Sequence, residues 1–174
     1  MPVIIHDREA HEDTIRILEE YKPKGILHRY SGPVDVLKRA FDLGMYISFN
    51  NDLTYPMWNA GPIACLMETP WDRLLIETDC PYMAPEPNRG KRCDSSMLHF
   101  VAQKMADELG LTKEEIIRIT NENAKKAVDV LKELKGSEAH ATVILSQIDR
   151  DTFRKLGINL TCEPHHESKK LYHK

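Results

Sequence analysis

Apolar residues in this chain fall into short continuous blocks or recur at steps of three and four. Val3-Ile4-Ile5, Gly25-Ile26-Leu27 and Leu74-Leu75-Ile76 run without polar alternation, which predicts parallel strands buried on both faces. Met45 to Phe49 reads as a further strand. Between the first two, Ala10, Thr14, Ile17, Leu18 and Tyr21 predict one helical face, closed by Pro23 and Gly25. Val34, Leu37 and Phe41 predict a second helix, with Ser31 as its N-cap, Pro33 near its first turn and Gly44 at C′. Strands separated by helices at roughly twenty-residue intervals predict βαβ units and a parallel sheet.

Residues 50–72 are broken by Asn50-Asn51-Asp52, Pro56, Asn59, Gly61, Pro62 and Pro70, leaving room for one short helix near Pro62–Glu68. Trp58 and Trp71 are expected to cover the barrel bottom or edge, Trp58 as a packing residue rather than a ligand platform. Cys80 to Asp94 reads as a long irregular loop. Leu98, Val101, Ala102, Met105 and Leu109 then line one helix, ended by Gly110. Thr112 and Glu115 form a capping box for the next, whose face is Ile116, Ile119, Asn123, Ala127 and Leu131. Beyond Gly136 the character changes to a strand at Ala141–Leu145, a short helix at Asp149–Leu156, a strand at Ile158–Cys162 and a polar end. The expected division is therefore 1–135 and 136–174.

Composition narrows the picture little. A chain of 174 residues with 41% hydrophobic and 29% charged residues suits one soluble globular domain. A net charge of −3 supplies no global field for nucleic acid, so a DNA partner would have to be held locally or through metal ions. The four cysteines show no CxxC pairing and read as reduced thiols of a cytoplasmic protein. No basic, apolar leader precedes His6, and no run approaches the ~20 residues of a membrane span.

The chemistry lies where the strands end. The three apolar runs lead into His6, His28 and Glu77-Thr78-Asp79, and the C-terminal ends of parallel strands are where barrels and open sheets place their sites. Two imidazoles and a carboxylate on one rim suit a divalent metal, which would lower the pKa of a bound water towards ~7. His6 and His28 would share one ion; Asp79 would bind a second or take a proton from the attacking water. Arg8 suits a phosphate contact or an ion pair with Asp7 or Glu12. The run Arg89-Gly90-Lys91-Arg92 suits a phosphate clamp or a solvated loop. Ser31, as a helix cap, could also present N–H groups to a phosphate oxygen. His11 and His99 read as surface or face-lining residues, Cys80 and Cys93 as buried structural thiols. His140, His165 and His166 have no ligand spacing. The first strand opens at Met1, so no earlier segment is expected to add ligands.

Five segments, Pro2–Glu9 (PVIIHDRE), Leu27–Gly32 (LHRYSG), Leu74–Pro81 (LLIETDCP), Asn88–Arg92 (NRGKR) and Asn121–Ala124 (NENA), resemble the TatD family of metal-dependent DNases over roughly residues 1–130. The resemblance implies a TIM-type (β/α) barrel with a divalent-metal site (Mg, Mn or Zn; one or two ions) hydrolysing phosphoesters, usually of DNA. It implies His6, His28 and Asp79 as ligands, Asp79 also as base, and Glu77 as the group that orients them. From the residues themselves, Arg8, Ser31 and Arg92 are the expected substrate contacts. The family's first-strand HxH pair and its middle-strand Glu ligand have no counterpart here, and Arg29 and Cys93 stand where other residues are usual. What remains is an α/β partial barrel of about four parallel strands, plus a short α+β tail. Such a half barrel is expected to expose two sheet edges and half a core, and so to self-associate or be marginal alone. The tail segments Ser137–His140 (SEAH), Val143–Ser146 (VILS) and Phe153–Pro164 (FRKLGINLTCEP) resemble the C-terminal end of an uncharacterised bacterial protein family, which implies two unrelated parts joined. Two functions compete: a metal-dependent hydrolase of DNA or another ester, or a catalytically inactive fragment with residual metal binding.

Overall fold

In a computed structural model of the chain, residues 3–132 are described, the last three by backbone alone. The tail elements expected after Gly136, with His140, Cys162, His165 and His166, lie outside the described residues, as does the side chain of Leu131.

Four strands stand side by side in chain order, β1 (Val3–His6), β2 (Gly25–His28), β3 (Tyr46–Phe49) and β4 (Leu74–Ile76), all parallel. Their register pairs His6 with His28 and Phe49 with Ile76, so every strand ends on the same rim. Gly25 is required at the start of β2, because a Cβ there would sit 1.8 Å from the Val3 carbonyl oxygen. Among the described residues β1 and β4 each pair on one side only.

Five helices follow the strands: α1 (His11–Tyr21), α2 (Val34–Asp42), α3 (Ala60–Glu68), α4 (Leu98–Leu109) and α5 (Lys113–Lys132). Gly44, at φ 76°, ends α2 as expected, and the Gly44 and Met45 N–H groups return to the Phe41 and Ala40 carbonyls at 2.8 and 3.1 Å. The capping box also forms: Glu115 N–H donates to Thr112 Oγ1 at 3.2 Å and Thr112 N–H to Glu115 Oε2 at 2.8 Å. Three local expectations are corrected. Ser31 does not cap α2; the N-cap is Pro33, which makes no side-chain cap bond. The buried face of α1 is Ile15 and Leu18, while Ile17 and Tyr21 are exposed, because a helix turn places Ile17 well round the cylinder from Leu18's face. Trp58 is 68% exposed rather than packed.

One face of the sheet, through Leu27, Ile47, Phe49, Leu74 and Ile76, packs with Ile15, Leu18, Leu37, Leu66, Val101 and Met105 into the main core. The opposite face is not left bare. Ile26, Tyr46 and Leu75 are buried with Ala124 and Ala127 of α5. The fully buried Asn123 fastens that helix, donating Nδ2 to the Trp71 and Leu74 carbonyls at 2.6 and 2.9 Å. The expected exposed half-core is thus covered by α5, and the sheet lies between two layers of helix.

Candidate metal centre

Strand alternation puts His28 on the same face as Ile26, and Glu77, just past β4, on that of Leu75. Both meet at the rim beyond the part of that face that α5 covers. His28 Nδ1 lies 2.5 Å from Glu77 Oε2, and His28 Nε2 lies 3.2 Å from Asp79 Oδ1. Each imidazole nitrogen therefore has its own carboxylate. Among the described residues, His28, Glu77 and Asp79 form a group whose donor atoms all lie within 4.8 Å of one another. His6, opposite His28 in register, has its ring centroid 5.4 Å from that of His28 and stands outside this group.

The charges are strongly coupled. Burial opposes a charge on His28, but the hydrogen bonds and charges of Asp79 and Glu77 outweigh it and lift the pKa to about 9. Burial also works against charged Asp79, yet His28, then Arg29 and His6, hold its pKa below the ordinary value. For Glu77 burial prevails over His28 and raises the pKa. Asp52, just past β3, is buried beside the site, and burial lifts its pKa to about 6 against the pull of Arg29. Asn50 donates Nδ2 to Asp79 Oδ2 at 3.0 Å and accepts the Asp52 N–H on Oδ1 at 3.0 Å.

Two adjoining cavities open at this rim. The one of about 930 Å³ is lined by His6, Arg8, His11, His28 and Asp79; that of about 780 Å³ by Asp52, Tyr55, Trp58, Arg89 and Lys91. Arg29, Ser31 and Tyr82 border both. Arg8 lines the first cavity, and Asp7, its proposed partner, bonds His11 instead at 2.8 Å. Arg89, its guanidinium 3.9 Å from the Tyr55 ring centroid, faces the second cavity, whereas Arg92 lines neither. Cys93 is buried, with Asn51 Nδ2 3.2 Å from its sulfur, while Cys80 is exposed, which corrects its reading as a buried thiol. Asn50 and Asp52 are not among the residues the sequence singles out for the site; their one signal is three consecutive polar residues, Asn50-Asn51-Asp52, directly after a strand, whereas Arg29 stands out only as an unusual residue beside His28.

A parallel α/β barrel segment with imidazole and carboxylate donors on its C-terminal rim has the arrangement of barrel-type metal-dependent hydrolases. Residues 1–129 match the TatD related DNase family, and the chain belongs to it. It is 42% identical over 130 residues to the uncharacterized metal-dependent hydrolase YabD of Bacillus subtilis, covering 72% of this chain and 50% of that protein. It is 30% identical over 133 residues to a protein of Pantoea ananatis named 3'-5' ssDNA/RNA exonuclease TatD, covering 72% and 51%. The structure of YjjV, a TatD homolog from Escherichia coli, superposes with a TM-score of 0.66 at 23% identity, over 73% of this chain and 49% of that one. The chain thus spans about half the length of the relatives it matches, as the partial barrel requires. Residues 106–172 also match a domain of unknown function, DUF1846, C-terminal, which overlaps the first match through part of α4 and most of α5. No helix among the described residues is long and apolar enough to cross a membrane.

Proposed function

We propose that this chain carries the C-terminal rim of a metal-dependent hydrolase that cleaves phosphodiesters, with DNA or another nucleic acid as substrate. The observation that carries the reading is the division of labour around His28. An imidazole offers one nitrogen to an ion, and Nδ1 is engaged by Glu77, which leaves Nε2 beside Asp79. The donor set fits a divalent cation: one nitrogen and carboxylate oxygens in a part-buried cluster, with Glu77 Oε1 buried and without a hydrogen-bond partner among the described residues. His28 and Asp79 would hold the ion, Glu77 would fix the tautomer and orientation of His28, and His6 would close the site from β1. The ion, whether Mg, Mn or Zn, would supply an acidified water and charge neutralisation of the phosphoryl group. Asp79, whose second oxygen accepts a hydrogen bond from Asn50, would accept a proton from the attacking water. Arg8 on one cavity and Arg89 and Lys91 on the other would contact backbone phosphates. The two open sheet edges would be covered by a second segment or a second copy, which completes the barrel.

The test is cleavage of an end-labelled single-stranded oligonucleotide by the full chain with Mn²⁺ or Mg²⁺, alongside EDTA, His28→Ala and Asp79→Asn. Metal-dependent cleavage abolished by EDTA and by both substitutions is expected. Well-folded protein without cleavage would replace this reading with that of an inactive fragment, and cleavage indifferent to His28→Ala would place the chemistry elsewhere.

A further inference from the structure

Arg29 follows His28 directly, and its backbone is left-handed, φ 48°. That conformation is unfavourable for a long side chain and persists where the surroundings enforce it, often at functional positions. Here Ser48 enforces it: Arg29 N–H donates to Ser48 Oγ at 3.2 Å and Tyr30 N–H to the Ser48 carbonyl at 3.0 Å. The turn carries the guanidinium between two carboxylates, with Nε 3.3 Å from Asp79 Oδ2 and 3.6 Å from Asp52 Oδ2. Nε makes the nearest approach to each. Nε is buried and makes no hydrogen bond among the described residues, so the two carboxylates hold the guanidinium by charge alone, and Arg29 lines both cavities.

Asp52 explains how that pose is kept. It is buried at the start of the turn after β3, its N–H bound to Asn50 Oδ1, while the same Asn50 holds Asp79. A buried carboxylate added beside the part-buried Asp79 and the buried Glu77 is electrostatically unfavourable unless a cation lies between them. Arg29 is that cation. Asn50, Asp52, Arg29 and Asp79 thus form one braced unit whose free edge faces the reaction rim.

Resting on the phosphoester reading above, we propose that Arg29 is the anion-binding, specificity-determining residue of this site, gripping non-bridging phosphoryl oxygens beside His28 and Asp79, with Asp52 as its positioning residue. A guanidinium presents paired donors that match two oxygens of a phosphoryl group, and a neutral carboxylic ester has no such anion. Arg29 therefore selects phosphoesters over neutral esters at the same rim.

The experiment titrates inorganic phosphate into the Mg²⁺-loaded full chain by calorimetry, for the unmodified protein and for Arg29→Lys, Arg29→Met and Asp52→Asn, with melting temperatures alongside. Arg29→Met is expected to weaken phosphate binding at least tenfold. Arg29→Lys, which keeps the charge but loses the fork, should fall between, and decides the matter if the methionine variant does not fold. Asp52→Asn should weaken binding severalfold at unchanged melting temperature, an effect that a merely structural role would not produce. Equal affinity for phosphate in the unmodified protein and the Arg29 variants, or no binding to the unmodified protein, overturns the proposal. Hydrolysis of bis(p-nitrophenyl) phosphate by the same proteins separates the two readings. Arg29-dependent phosphate binding without any hydrolysis would sink the hydrolase reading alone. Hydrolysis whose KM ignores Arg29 would sink only the role of Arg29.

Discussion

The proposed metal binding at His28 would compete with a proton, and the charges around the imidazole set the size of that competition. With both nitrogens facing carboxylates, His28 has its pKa lifted to about 9, burial notwithstanding. At pH 7 the metal-free imidazole is then protonated in about 99 of 100 molecules, and an ion must expel that proton before it can bind. The apparent affinity is reduced about 100-fold, or ~2.7 kcal/mol at 1.36 kcal/mol per pKa unit. Between pH 7 and 8.5 the apparent Kd for Mn²⁺ should fall about tenfold per pH unit, with close to one proton released per ion bound. Calorimetry in two buffers of different ionisation enthalpy measures both quantities at once. A Kd that is flat over this range, or binding without proton release, would show that His28 is not a ligand, however close Asp79 lies.

Three further outcomes follow from the same geometry. Asn123→Ala removes one buried and one part-buried hydrogen bond, to the Leu74 and Trp71 carbonyls, so stability should drop by ~2–4 kcal/mol in urea unfolding, against under ~0.5 kcal/mol for the exposed Glu122→Ala; equal effects would refute the fastening of α5. Gly25→Ala drives a Cβ into the Val3 carbonyl at 1.8 Å, and should lower stability by at least about 2 kcal/mol while displacing β1 and with it His6, read by thermal melting and by His6 NMR shifts; a melting temperature within a degree of the parent would contradict the register. The EDTA-treated protein should also lose stability with rising pH. The folded pKa of His28 lies above its unfolded value of 6.5, so its stabilisation is complete below about pH 6.5 and is lost as pH climbs through about 9. A melting temperature that rises over that window would reverse the sign and exclude the paired, charged imidazole.

Much of the fold was written locally. Continuous apolar runs marked the strands within a residue or two, Gly44 and Gly110 marked helix ends because each takes a left-handed φ, and Thr112 with Glu115 marked the start of α5. These signals act over three to five residues, so the chain carries them whatever its tertiary fold. The rim candidates were legible too, because strand direction alone sends His28 and Asp79 to one edge. The burial of the second sheet face was not legible: it depends on Asn123 reaching the Trp71 carbonyl across 52 residues of sequence. Nor was the pairing of His28 Nδ1 with Glu77, 49 residues apart, which engages one imidazole nitrogen and leaves Nε2 beside Asp79. Arg29 shows the difference most plainly. Its sequence neighbours describe a basic residue after a strand, while its place between Asp52 and Asp79 exists only once β2, β3 and β4 lie side by side. Periodicity and capping are properties of neighbours along the chain, whereas the charge and geometry of this rim are properties of strands that meet only in the folded sheet.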